Sequence, residues 1–159
     1  MFLKKWFDFD PFESKMKKSA GIVIILGKKK ILLCHSTNSK WFGTYSVPKG
    51  GVNRGESEID GAIRELREET SIKVEKSQIS NLKDPIIIEY TNRKTKALYK
   101  KLYLYTVYID SISEIGLNTE ILPKEMLQLH EIDWCGFLDK READVRIFHR
   151  VRHLLNLLS

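Results

Sequence analysis

Between residues 58 and 70 the apolar positions Ile59, Ala62, Ile63 and Leu66 recur at i, i+3, i+4 and i+7, the spacing that lines one face of an α-helix. A helix is predicted there. Elsewhere the period changes. Residues 20–26 and 31–35 are short runs rich in Ile, Val and Leu, joined by Gly-Lys-Lys-Lys, which predicts a hairpin. Residues 85–91 and 97–108 flank a basic turn from Asn92 to Lys96, and LYLYTVYI alternates as a half-buried strand does, predicting a second hairpin. Residues 130–137 predict a further strand. Over residues 141–158, Val145, Phe148, Val151, Leu154, Leu155 and Leu158 fall at helical spacing, predicting a closing amphipathic helix. Residues 38–51 and most of 110–128 are expected to be loop, with a short strand at 45–47.

The order ββ, loop, α, ββ, β, α predicts an α+β domain in which the first helix packs on a mixed sheet and the second covers another side. Residues 1–17 combine five aromatics with charges around Pro11 and are expected to form an arm, packed on the domain of residues 18–159 or on a second copy in a homodimer. At 159 residues, 42% apolar and 30% charged, the chain has the material for one core and falls outside disordered and collagen-like classes. No run of about 18–20 apolar residues is present to span a bilayer, and Lys4, Lys5 and Asp8 interrupt any signal-peptide core. A cytoplasmic protein with no membrane partner is expected. Cys34 and Cys135 stand alone in apolar runs and are expected to be buried, reduced thiols. With 27 basic and 21 acidic residues the net charge is +6, which favours polyanionic partners.

The candidate chemistry is concentrated in residues 48–72, PKGGVNRGESEIDGAIRELREETSI. Glu65, Glu68 and Glu69 sit at i, i+3 and i+4 on the predicted helix, on one side of it and roughly 120° from the apolar stripe. Like charges at that spacing destabilise a helix by a few tenths of a kcal/mol per pair, so a positive partner is expected. A hard divalent cation, Mg²⁺ or Mn²⁺, fits, because it takes oxygen ligands and shares its remaining positions with water and phosphates. A solvated acidic face paired with Arg64 and Arg67 is the alternative.

The whole segment resembles the Nudix box, Gly-x5-Glu-x7-Arg-Glu-U-x-Glu-Glu-x-Gly-U, where U is a bulky aliphatic residue. Gly50, Glu56, Arg64, Glu65, Leu66, Glu68, Glu69 and Ile72 match; Ser71 stands where the family has glycine. Six identical letters would co-occur by chance about once in ten million registers. WFGTYSVPKGG at residues 41–51 is similar to the entry segment of family members that include dinucleoside polyphosphate hydrolases and RNA 5′ pyrophosphohydrolases.

The resemblance implies an α/β/α sandwich and metal-dependent hydrolysis of a pyrophosphate bond in a nucleoside diphosphate-linked substrate, RNA 5′ ends or dinucleoside polyphosphates first. A nucleotide- or RNA-binding regulator of low turnover on the same scaffold is the alternative. It implies Gly50, Glu65, Glu68, Glu69 and Glu131 as metal ligands, with Glu120 and Glu125 in reserve for Glu131. Arg64, Glu65, Glu68 and Glu131 are implied as catalytic residues, with Glu56 fixing the loop. Lys49 is expected to meet phosphate, and Tyr103 or Phe137 to stack on a base. Ser71 should disturb the end of the helix, where glycine enters the left-handed region without strain. For Gly61 the expected reason is close packing of the helix on the sheet.

Overall fold

The computed structural model describes residues 16–159, so the arm expected over residues 1–17 lies almost wholly outside the described residues. Within the described residues six strands form: β1 (Lys17–Leu26), β2 (Lys30–Ser36), β3 (Lys49–Gly51), β4 (Ile86–Thr91), β5 (Leu98–Ile109) and β6 (Ile132–Asp139). Among the described residues two α-helices join them, α1 (Glu58–Thr70) and α2 (Lys140–Arg146). The strands lie in the order β4-β5-β1-β2-β6, with β3 also on β1. The sheet is mixed because β5 runs parallel to the whole of β1, from Lys17 opposite Lys100 to Leu26 opposite Ile109, while the other pairings are antiparallel.

β1 explains the layering. A strand covered on both faces reads as a continuous apolar run rather than as an alternation. Ala20, Ile22 and Ile24 join Ala62 and Leu66 of α1 in one core. Val23 and Ile25 join Ala143 of α2 with Val151, Leu154 and Leu155 in the other. The result is the α+β domain with a mixed sheet that the element order predicts, layered as the α/β/α sandwich that the resemblance implies.

Three local departures bear on the site. The first hairpin is paired only at its turn, Ile25 with Ile31 and Leu26 with Lys30; beyond it β1 and β2 diverge, and β3 and Ser46 take the vacated edges. The strand expected at 45–47 therefore appears four residues on, as Lys49–Gly51, while Tyr45 and Ser46 make only isolated bridges. The closing helix is also broken. After α2, Ile147 and Phe148 are extended, and a 3₁₀ segment runs over His149–Leu157. The cause is distant in sequence: Arg146 O accepts from Thr44 N and Tyr45 N, and Phe148 N donates to Tyr45 O, so this backbone is taken by strand-like pairing.

Cys34 and Cys135 face each other across β2 and β6 with their sulfurs 3.0 Å apart, both buried and unlinked. Burial pushes the Cys34 thiol well up from its usual value, which suppresses the reactive thiolate. Both thiols are expected to stay silent to an aromatic disulfide reagent in native buffer and to react only with denaturant present; fast native-state labelling would contradict this packing.

Candidate active site

Arg64 is the hub of the site. Its Nε donates to Glu56 Oε2 (2.9 Å), Nη1 to Glu65 Oε1 (2.9 Å) and Glu68 Oε1 (2.8 Å), and Nη2 to Glu56 Oε1 (3.0 Å) and the Gly51 carbonyl (2.8 Å). A planar guanidinium presents five N–H donors in a fixed fork, a reach that the three donors of a lysine ammonium on a single nitrogen cannot match. These carboxylates hold Arg64 further above its usual value, Glu56 foremost, and Arg64 in turn holds the Glu56 carboxyl below the ordinary range. Glu56 also accepts from Asn53 N at 2.9 Å, fastening the loop ahead of α1.

Two glycines make the approach possible. A Cβ on Gly50 would fall 2.1–2.4 Å from the carboxylate atoms of Glu65, so the strand offers Glu65 a hollow only glycine leaves open. Gly61 does not serve helix–sheet packing as expected: the atoms nearest its missing Cβ are Glu56 Oε1 at 3.2 Å and Val52 Cγ2 at 3.3 Å. It lets the loop of residues 52–56 lie against α1. Gly50→Ala is expected to displace the Glu65 carboxylate, lowering kcat about tenfold or more while leaving the melting temperature little changed, since the displaced group ends a flexible side chain. Unaltered kinetics would show that this hollow has no part in catalysis.

Glu69 lies at the inner edge of the cluster and is buried. Its carboxyl is pushed up to about 8, first by burial, then by the charge of Glu65; the Lys49 backbone N–H and ammonium oppose the rise. Two carboxylates this close in a dry setting cannot both ionise unless something positive joins them. Glu68, by contrast, is exposed and held by Arg64. Among the described residues no three acidic, histidine or cysteine side chains form a ready-made metal cage, consistent with Arg64 occupying the place of a cation between Glu65 and Glu68. The donor set nonetheless suits a hard divalent ion, which needs one or two protein carboxylates and completes its sphere with water and phosphate oxygens.

Ser71 ends α1 in the left-handed region, φ 66°, and its N–H donates to Arg67 O. The glycine-specific conformation is thus kept without glycine. Its hydroxyl donates to Met126 O at 2.7 Å, a contact that offsets roughly 1 kcal/mol of strain and ties the helix end to the loop of residues 123–131.

The NUDIX domain family pattern matches residues 15–151. The chain belongs to the Nudix family. A 124-residue match is to the mRNA-decapping protein g5R of African swine fever virus, 29% identical over 74% of this chain and 49% of that one. An RNA pyrophosphohydrolase of Cereibacter sphaeroides is 24% identical over 70% of this chain and 73% of its own. The chain spans about half the length of the viral relatives it matches. Among solved structures, a C. elegans Ap4A hydrolase binary complex superposes with a TM-score of 0.57 at 24% identity, covering 89% of this chain and 93% of that one, a likeness of fold.

The Nudix box residues are thus brought together as the motif implies; those outside it fare differently. Glu120 is removed from the site: it binds Lys30 at 2.6 Å, and Lys30 lies opposite Leu26, five residues along β1 from Gly21 and its partner Lys49, about 16 Å away. Glu131 and Glu125 are exposed. Both belong to the loop bound to α1 through Ser71 Oγ and through Gln128 N, which donates to Glu69 O at 3.0 Å, but the ion partner of Glu131 is His130 at 4.0 Å. Phe137 is buried in the core beneath α1, and Tyr103 packs half-buried at the rim of that core.

Lys49 has basic company in Lys100, which the sequence offers as part of a positive rim, and in Lys17, which it does not announce. The charges of Lys49 and Lys17, after burial, hold the Lys100 ammonium below its usual value, and Lys17 is the β1 neighbour of Lys100. Among the described residues none of the three makes an ion pair. Lys17 falls at the end of the expected arm; only the parallel register of β1 and β5 reveals it.

Proposed function

We propose that this chain is a divalent-metal-dependent Nudix pyrophosphohydrolase whose substrate is a nucleoside polyphosphate, with a 5′-pyrophosphorylated RNA end ranked first and a dinucleoside polyphosphate second. The observation that carries this reading is the pairing of Glu65 with the buried Glu69, set against the hollow at Gly50 and braced by Arg64. Glu65 and Glu69, with Glu68 once released from Arg64, would hold Mg²⁺ or Mn²⁺, which when bound supplies Lewis acidity and an acidified water. Arg64 orients the carboxylates, and Lys49, Lys17 and Lys100 receive phosphoryl charge. The names of the relatives, one a decapping protein and another an RNA pyrophosphohydrolase, support an RNA 5′ end, as does the net charge of +6.

The regulator reading rests on Ser71, and loses that footing because Ser71 takes up the left-handed cap. Among the described residues no helix is long and apolar enough to cross a membrane, and the unlinked thiols suit a reducing, cytoplasmic compartment. The decisive test is a panel of triphosphorylated RNA, diadenosine tetraphosphate, ADP-ribose and 8-oxo-dGTP with Mg²⁺ or Mn²⁺. Release of pyrophosphate or phosphate from the RNA, abolished in Glu68→Gln, is the expected result; no turnover of any of the four would end the proposal.

A further inference from the structure

The loop between β2 and β3 carries an aromatic display that pyrophosphate chemistry leaves unused. His35, buried at the end of β2, has an acceptor at each ring nitrogen: Asp133 Oδ1 lies 2.6 Å from Nδ1 and the Lys40 carbonyl 2.9 Å from Nε2. An imidazole flanked by two acceptors satisfies both only by donating twice, as the cation. Burial alone would lower its pKa; the hydrogen bonds to Asp133 and Lys40 outweigh it and raise the value.

Trp41 stacks on this ring, centroids 5.8 Å apart and planes 22° from parallel, with Arg146 5.8 Å from the Trp41 centroid. Tyr45 closes the cluster beneath, 5.0 Å from His35 and 5.7 Å from Trp134. Trp41 nevertheless remains 59% exposed, and Phe42 beside it 73%.

The loop is fastened at both ends. Ser39 N donates to Ser36 O, Thr37 N to Glu131 O and Thr44 N to Arg146 O. It is also tied to the catalytic helix, because Glu131 N donates to Gln128 O and Gln128 N to Glu69 O. Single exposed apolar residues are ordinary. Two adjacent large aromatics on a pinned loop, underlain by an imidazolium and a guanidinium and leading along the chain to Lys49, are a different arrangement. Aromatic faces interleaved with cations are how single-stranded nucleic acids and nucleotides are held. A Trp–Phe pair also offers only a few hundred Å², well short of the roughly 800 Å² per partner of a stable protein interface, but about the area of a stacked base.

We propose that Trp41 and Phe42 form a stacking platform for a nucleobase of the substrate whose phosphates lie toward Lys49. This deepens the hydrolase reading and rests on it for the identity of the substrate. The test uses Trp41→Ala, Trp41→Phe and Phe42→Ser. Binding of a non-hydrolysable methylene-bridged nucleoside triphosphate is measured beside binding of inorganic tripolyphosphate, which has no base, and KM and kcat are taken for triphosphorylated RNA.

Trp41→Ala is expected to weaken nucleotide binding and raise KM by about 5- to 100-fold, the range for loss of one stacking aromatic, with kcat within about twofold and tripolyphosphate binding unchanged. Trp41→Phe should recover most of the loss, and Phe42→Ser, altering a largely exposed side chain, should weaken binding without lowering the melting temperature. Equal nucleotide affinity in wild type, Trp41→Ala and Phe42→Ser would overturn the platform, and so would an equal loss of tripolyphosphate binding. A mass or vesicle-binding change on Trp41→Ala with nucleotide affinity intact would reassign the surface to protein or lipid. Base-dependent binding lost in Trp41→Ala while wild type turns over no substrate would uphold the platform and reject the hydrolase, so the two failures are distinguishable.

Discussion

A Glu69→Gln variant is expected to keep the fold, gain stability above neutral pH and lose about a hundredfold or more in kcat. The glutamine amide imitates a protonated carboxyl, which is the state burial and the neighbouring Glu65 favour in the metal-free protein, where the Glu69 carboxyl is lifted to about 8 from a reference of 4.5. A group that binds its proton more tightly when folded contributes its stability in full below the unfolded value and loses it as pH rises through the folded one. Metal-free wild type should therefore weaken between about pH 5 and pH 9, by on the order of a few kcal/mol, and the glutamine variant should remove that decline. Denaturant titrations in chelator measure it; parallel pH curves for the two proteins would refute it. A divalent ion must displace the proton to bind, so Mn²⁺ should raise the wild-type melting temperature more at alkaline than at acid pH and do little for the variant.

What the sequence disclosed of the fold follows the range of the interactions involved. α1 is legible because its apolar period is a local signal that repeats within a few residues, and the box chemistry is written on the same helix. The break after Arg146 is not legible: its cause is backbone pairing with Thr44 and Tyr45, in a loop far earlier in the chain. Lys17 joins Lys49 and Lys100 only through a parallel register that no local pattern specifies. Phe137 has the aromatic ring and the position after His130 and Glu131 that suit base stacking, but strand alternation turns it into the core beneath α1, while Trp41 and Phe42, in a segment expected to be loop, keep their rings in solvent. Aromatic content is visible in a sequence; the face on which a ring emerges depends on pairing partners that are not.

Arg64→Ala should be the most destabilising single change in the site. Every guanidinium nitrogen of Arg64 is engaged, and its loss strands Glu56, Glu65 and Glu68 beside one another. Leaving part-buried carboxylates without their cation costs about 2–4 kcal/mol, a fall of roughly 5–12 °C in melting temperature for a domain of this size. Lysine should recover only part of it, since one point charge cannot span three carboxylates. The acid limb supplies a second reading. Glu56, held low by Arg64, contributes stability above its unfolded value that is lost as pH falls through its folded value, so the variant should show a flatter decline toward acid than wild type. Added Mn²⁺ separates a brace from a bystander: with the guanidinium gone, a divalent ion is the remaining cation able to join these acids, and it should restore a larger share of the variant's melting temperature than it adds to wild type. A variant that melts within about 1 °C of wild type, against the cost expected for an unpaired part-buried charge, would mean that Arg64 decorates the acidic cluster without holding it together.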